Sequence, residues 1–394
     1  MLIRDIETIV LKLAGDEAYL GRIADGSATN AASGVPISAE YAVRAPYRSL
    51  YSSRYETLLV RVTAEDGTIG WGEALAPVAP EVPAAIVDLL LAPVLRGMNA
   101  TRPRPAWSRL RDLMRERGHL VGHQADALAA VDIALWDLAG RLSGRGVADL
   151  LGGAFRTDIP TYVSGLPEPT DAGRARLARG WTDRGARAVK LHLGNGVDAD
   201  LATVDAVQVA APTLRIAVDA HWVYSLEDAV RLAHGLAERR VWFLEAPLAP
   251  EDVAGHAELV ARSPVPVAVG EALRNRYEFS HWLDSRAVRI AQPDIARTGI
   301  TEAMVIAELC AARHIPVAPH HSIGLEVALA AGLHVAAALD NLEVFEYQPT
   351  STEIGGRIVR TPIAVRPDGF TLPTGPGLGV DVDADAVNRL AKES

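Results

Sequence analysis

The sequence predicts an α/β barrel, and three observations carry that prediction. From residue 158 onward, eight short apolar runs alternate with longer amphipathic stretches. Strand alternating with helix at this spacing means successive βα units and a parallel sheet. From the second run onward each run ends in a titratable residue, and these residues recur once per unit: His192, Asp219, Glu245, Glu271, Asp294, His320 and Glu346. A doubly wound open sheet is the alternative, but no G-x-G-x-x-G follows the first run, and Gly194-Asn195-Gly196 lacks the third glycine.

Taken in order, IPTYVS (159–164) opens the series and DAGRARLARGWTDRG gives the first amphipathic stretch. RAVKLH (187–192) alternates, sending Lys190 and His192 to one face and Val189 and Leu191 to the other. RIAVDA (215–220), VWFLEA (241–246) and PVAVGEA (266–272) follow, with LEDAVRLAHGLAERR between the first two. VRIAQPD (288–294), IPVAPHH (315–321) and LEVFEY (342–347) complete the eight, with TEAMVIAELCAARH after the first of them. In a closed barrel the strand ends converge on one mouth, so the ladder of polar residues becomes a ring. One charged residue after a strand is ordinarily solvated loop. Seven in phase mark a site.

The bulk composition narrows the function class. The chain has 394 residues, 49% of them hydrophobic, and a net charge of −10, which argues against nucleic acid or an anionic membrane as partner. No apolar stretch reaches membrane-spanning length and the N-terminus lacks a signal-peptide core, so a soluble, cytoplasmic protein is expected. The single cysteine, Cys310, reads as a buried core residue. Only three of the 39 basic residues are lysine, and Lys190 is the one in the long interior. Arginine stays protonated whereas a desolvated lysine can exchange its proton, so a lysine kept against that bias points to a site.

Asp219, Glu245 and Glu271 end three consecutive strands, and three carboxylates at close quarters repel unless a cation lies among them. An all-oxygen set suits Mg²⁺, with Mn²⁺ also fitting. Ala220, Ala246 and Ala272 offer no local counter-ion, though Arg274 is within reach of Glu271. Asp294 and His320 end the next two strands, where a carboxylate can hold an imidazole in one tautomer. His221 shares the face of Asp219, while His321 points away from the mouth; His234, His256, His314 and His334 read as surface or packing residues.

The ordered set VDAH, LEAP, VGEA, QPDIARTGIT, APHHSIG and FEYQ resembles the enolase superfamily, in its mandelate racemase subgroup. ETLLVRVTAEDGTIGWGEA (56–74) resembles a strand pair of that family's cap, residues 127–153 its helix entering the barrel, and PGLGVDVD (376–383) its closing tail. The resemblance implies a (β/α)₇β TIM-like barrel with an α+β capping domain built from both chain ends. The implied division is residues 1–125 for the cap, 126–347 for the barrel and 348–394 for the segment completing the cap. It also implies Mg²⁺ on Asp219, Glu245 and Glu271, a carboxylate substrate, removal of the proton α to that carboxylate, and a homo-oligomer. Lys190 and His192 match acid/base positions on one side, the Asp294–His320 pair on the other. Glu346 matches a position that bonds the developing enolate oxygen as a neutral acid.

Two departures refine the expectation. Relatives in the racemase and lactonizing branches carry Lys-x-Lys where this chain has Lys190-x-His192. Asp219-x-His221 instead resembles the acid-sugar dehydratases. The expected reaction is therefore loss of water from a sugar acid to a 2-keto-3-deoxy acid, with His320 as base and His221 or His192 as acid. An epimerase, racemase or cycloisomerase is the alternative on the same scaffold. A metal-dependent hydrolase is disfavoured, because TYVSG (161–165) lacks His-x-His. Arg44, Tyr47, Arg48 and Tyr51 are candidate substrate contacts from the cap.

Overall fold

The eight runs close into a barrel in a computed structural model that describes residues 1–14, 34–36, 38, 40–44 and 49–393. Six strands run parallel, each paired with the next: Asp158–Ser164, Ala188–His192, Arg215–Asp219, Leu244–Glu245, Val267–Val269 and Ile290–Ala291. The eighth, Phe345–Tyr347, pairs in parallel with the first and so closes the ring, which excludes the open sheet. The seventh run forms only isolated bridges, Ala291 to Val317, Asp294 to His320 and Val317 to Leu342. Pro316 and Pro319 explain this, since neither has an N–H to donate to a ladder.

Alternation sets the barrel interior. Tyr162, Ala188, Ala217, Phe243, Ala268, Ile290, Ala318 and Val344 form one buried cluster, with one residue from each strand or run. Two residues further along, the same inward face carries Ser164, Lys190, Asp219, Glu245, Gln292, His320 and Glu346. The polar ring is thus the layer above an apolar plug. The fifth strand departs from this phase, because Gly270 occupies the inward position. A Cβ there would lie 2.6 Å from the backbone of Gln292, so only glycine lets the two strands approach, and Glu271 follows it.

A second layer covers the mouth. Ile3–Ala14, Arg54–Ala64 and Ile69–Ala74 form an antiparallel sheet, against which the almost wholly buried helix His123–Ser143 packs. The same helix packs against Ile295–Ala311, the helix after the sixth barrel strand. Three buried carboxylates latch the layers together. Glu73 accepts the N–H groups of Leu325 and Ala328 at 2.7 and 2.9 Å, so a cap strand caps the helix Glu326–Ala338. Asp132 accepts Thr301 N–H and Oγ1–H, both at 2.7 Å. Asp137 accepts the N–H groups of Trp71 and Leu378, both at 2.8 Å.

The C-terminal segment serves both layers. Gly369–Thr371 pairs antiparallel with the start of the first barrel strand, and the helix Ala384–Glu393 packs against the first cap strand. Cys310 is buried, and among the described residues no helix is long and apolar enough to cross a membrane.

Candidate active site

The inward layer gathers its titratable groups around Lys190, which is fully buried. Lys190 Nζ lies 2.9 Å from both carboxylate oxygens of Glu245, 2.8 Å from Glu346 Oε1 and 3.9 Å from Asp219 Oδ2. Burial opposes its charge, but Glu245 and Glu346 outweigh that and raise its pKa well above the ordinary lysine value. Gln292 Nε2 donates to Glu245 Oε2 at 2.6 Å. Even so, burial and its acidic neighbours push the Glu245 carboxyl up to about 7. One lysine does not neutralise the carboxylates around it.

Across the mouth stands a dyad. Asp294 Oδ2 is 2.7 Å from His320 Nδ1, while Asp294 Oδ1 accepts Ala296 N–H at 2.8 Å and caps the following helix. His320 Nε2 lies 3.0 Å from Glu271 Oε2 and 3.8 Å from Glu346 Oε2. Burial would lower the His320 pKa, but Glu346, Asp294 and Glu271 raise it well above the usual imidazole value. Glu271 Oε1 accepts the Trp222 indole N–H at 2.9 Å. Glu245, Glu271 and His320 offer ligand atoms within 4.8 Å of one another, a donor set that could hold a metal ion.

Asp219 sits apart from that trio, turned toward His221: Oδ1 accepts the backbone N–H of His221 at 2.9 Å and lies 3.1 Å from its Nδ1. Burial opposes ionisation of Asp219, yet His221 and Lys190 hold its pKa well below the ordinary value. His221 is itself raised, against burial, by that carboxylate. Its ring stands 5.1 Å from that of His192, edge to face. Burial and His221 push His192 down to about 4, so it is neutral at pH 7.

The chain matches the family described as "Enolase C-terminal domain-like" over residues 173–386 and "Mandelate racemase / muconate lactonizing enzyme, N-terminal domain" over residues 37–152. It belongs to the enolase superfamily. Within its mandelate racemase and muconate lactonizing family, a D-galactarolactone cycloisomerase from Agrobacterium fabrum is 31% identical over 367 residues, covering 89% of this chain and 96% of that protein. A D-galactonate dehydratase from Verminephrobacter eiseniae is 31% identical over 359 residues, covering 85% and 91%. The crystal structure of a superfamily member from Agrobacterium tumefaciens is 36% identical, covers 98% of both chains and superposes with a TM-score of 0.92.

All nine candidate residues lie in the last three residues of a barrel strand or within three residues after it, except His320, which sits on the bridged seventh run. Two expectations need correction. Glu346 is not a neutral acid: burial works against its charge, but Lys190 and His320 hold it ionised, with its pKa below the usual value. Arg274 does not reach for Glu271; it donates to Asp126 at 3.1 Å and to the Ala272 carbonyl at 2.6 Å. His256 and His334 are buried packing residues, in line with one of the two readings given for them, with Nδ1 on the Asp252 carbonyl and the Ala148 N–H respectively.

Ser164, Trp222 and Gln292 were missed by sequence reasoning. Ser164 and Gln292 stand in phase with the ring, so the period-two pattern could have found them. Trp222 could not be found that way, since it lies in an irregular turn with φ 62°. Arg44 ends a strand of the small cap sheet, Tyr51 is half-buried in another, and Tyr47 and Arg48 lie outside the described residues.

Proposed function

We propose that this chain is a Mg²⁺-dependent hydro-lyase that removes water from a sugar acid to give a 2-keto-3-deoxy acid. The observation that carries the reading is the Asp294–His320 dyad, set across the mouth from a second imidazole–carboxylate pair, His221 and Asp219. The D-galactonate dehydratase likeness supports the substrate class. The cap is assigned to residues 1–125 and 348–394, and the barrel to 126–347.

Asp219, Glu245 and Glu271 are the residues that would hold Mg²⁺, with Mn²⁺ an acceptable substitute. The fit rests on their chemistry: hard oxygen donors at three adjacent strand ends, in a mouth whose buried negative charge exceeds that of Lys190. When bound, the cation supplies positive charge that stabilises the carboxylate-derived enediolate and so acidifies the α-proton.

The protein groups do the proton transfers. Nδ1 of His320 is committed to Asp294 and Nε2 faces Glu271 at 3.0 Å, so Nε2 would be released to take the α-proton once Glu271 turned to a cation. The C–H electron pair passes into the enediolate and then expels the β-hydroxyl. His221 gives that oxygen a proton, so it leaves as water, and the enol product tautomerises to the 2-keto acid. Lys190 holds Glu245 and Glu346 in place and offsets charge beside the substrate carboxylate.

A cycloisomerase is the second reading, favoured by the likeness to D-galactarolactone cycloisomerase. Incubating Mg²⁺-loaded protein with a panel of aldonic and aldaric acids, and following 2-keto product with semicarbazide, tests the first. His320→Asn should abolish both product and α-proton exchange in D₂O. Exchange or isomerisation without 2-keto product would favour the second reading.

A further inference from the structure

Ser164 ends the first barrel strand, is buried, and touches two members of the site. Its Oγ lies 2.5 Å from Glu346 Oε1 and 3.1 Å from His192 Nε2. A serine hydroxyl carries one proton, and a carboxylate flanked by a lysine Nζ at 2.8 Å accepts only. The serine proton therefore goes to Glu346. The lone pair of Oγ is left for His192, so the 3.1 Å contact requires a proton on Nε2.

That assignment fixes the other ring nitrogen. With Nε2 donating to Ser164, Nδ1 is the ring nitrogen left to accept, and among the described residues no hydrogen bond is made by Nδ1. The adjacent position is Gly165, at φ 87°, where a Cβ would sit 3.7 to 3.8 Å from His192 Cε1 and Nδ1. A side chain there would cover this edge of the ring; glycine leaves it open. Glu346, Ser164 and His192 thus form a relayed counterpart of the direct Asp294–His320 dyad, on the opposite side of the mouth.

We infer that Ser164 is a positioning residue that holds His192 as its Nε2–H tautomer, with Nδ1 presented to the mouth as the acceptor for a substrate hydroxyl. This rests on the proposed polyhydroxy-acid reading for the identity of the ligand, but not for the tautomer. His192 then orients a hydroxyl of the substrate, and His221 keeps the role of acid.

The test is ¹⁵N-histidine labelling of the full chain, with two-bond ¹H–¹⁵N correlation spectra recorded at pH 7 without metal or substrate. His192→Gln identifies the His192 signals. The wild type should show the Nε2–H pattern, Ser164→Ala should lose it, and Ser164→Thr should restore it. In turnover, Ser164→Ala should raise KM about tenfold, the lower bound for losing an oriented partner, with the Thr variant near wild type. An Nδ1–H pattern in the wild type, or an unchanged pattern in Ser164→Ala, overturns the inference. So does a Ser164→Ala variant that loses the tautomer yet keeps wild-type KM. If no hydroxy acid is turned over while the tautomer behaves as stated, the reaction class falls and the positioning role stands.

Discussion

Replacing Asp294 by Asn changes one atom at the dyad and tests the base assignment. Asp294 uses both oxygens: Oδ2 takes His320 Nδ1–H at 2.7 Å and Oδ1 takes Ala296 N–H at 2.8 Å. An asparagine has one oxygen for two donors. If it keeps the helix cap, its NH₂ faces His320 Nδ1, and the ring must move its proton to Nε2, where it can no longer accept the α-proton. If it turns over, the imidazole is satisfied and the helix loses its cap, at about 1 kcal/mol. Either arrangement loses the carboxylate's charge-assisted hydrogen bond, of about 1.5–3 kcal/mol, to the imidazolium formed on proton abstraction. That converts to a rate about 10- to 150-fold slower. The assay is α-proton exchange by ¹H NMR in D₂O with Mg²⁺ present, alongside a thermal melt. A fall in exchange with little change in melting is expected. Exchange at the wild-type rate would refute the dyad as the source of the base.

Two further outcomes follow from the buried charges. The Glu73 carboxyl is pushed up to about 7 by burial, against its bonds to Leu325, Ala328 and Thr57, from an ordinary value of 4.5. The folded state therefore binds more protons than the unfolded state between those values, so Glu73 contributes a stability that declines as pH rises through that window. Thermal melts from pH 5 to 8 should show a less negative slope in Glu73→Gln than in wild type; identical slopes would contradict the buried-acid assignment. Because burial also pushes Glu245 up to about 7, Mg²⁺ binding there should release protons and tighten from pH 6 to 8. Calorimetry in buffers of different ionisation enthalpy reads that release, and its absence would count against Glu245 as a ligand.

The barrel was legible because its signal is local and repeated. A strand of inward and outward residues followed by a helix recurs with near-constant length, and most repeats deliver a polar residue to the same height, the fifth being out of phase at Gly270. Lys190, Asp219, Glu245, His320 and Glu346 could be named from phase alone. Where proline intervenes, the pattern misleads about the element but not about the site: IPVAPHH forms bridges instead of a strand, and His320 still reaches the mouth.

Sequence by itself determined which residues face inward and in what order, since a two-residue period needs no knowledge of distant neighbours. Only the tertiary structure decided which of them touch. Lys190 meets Glu346 only because the eighth strand returns to the first, and that closure also brings Ser164 between Glu346 and His192. It decided charge states too, holding Glu346 ionised where a neutral acid was expected. Burial and opposing charge depend on atoms from strands more than a hundred residues apart, which no local pattern encodes.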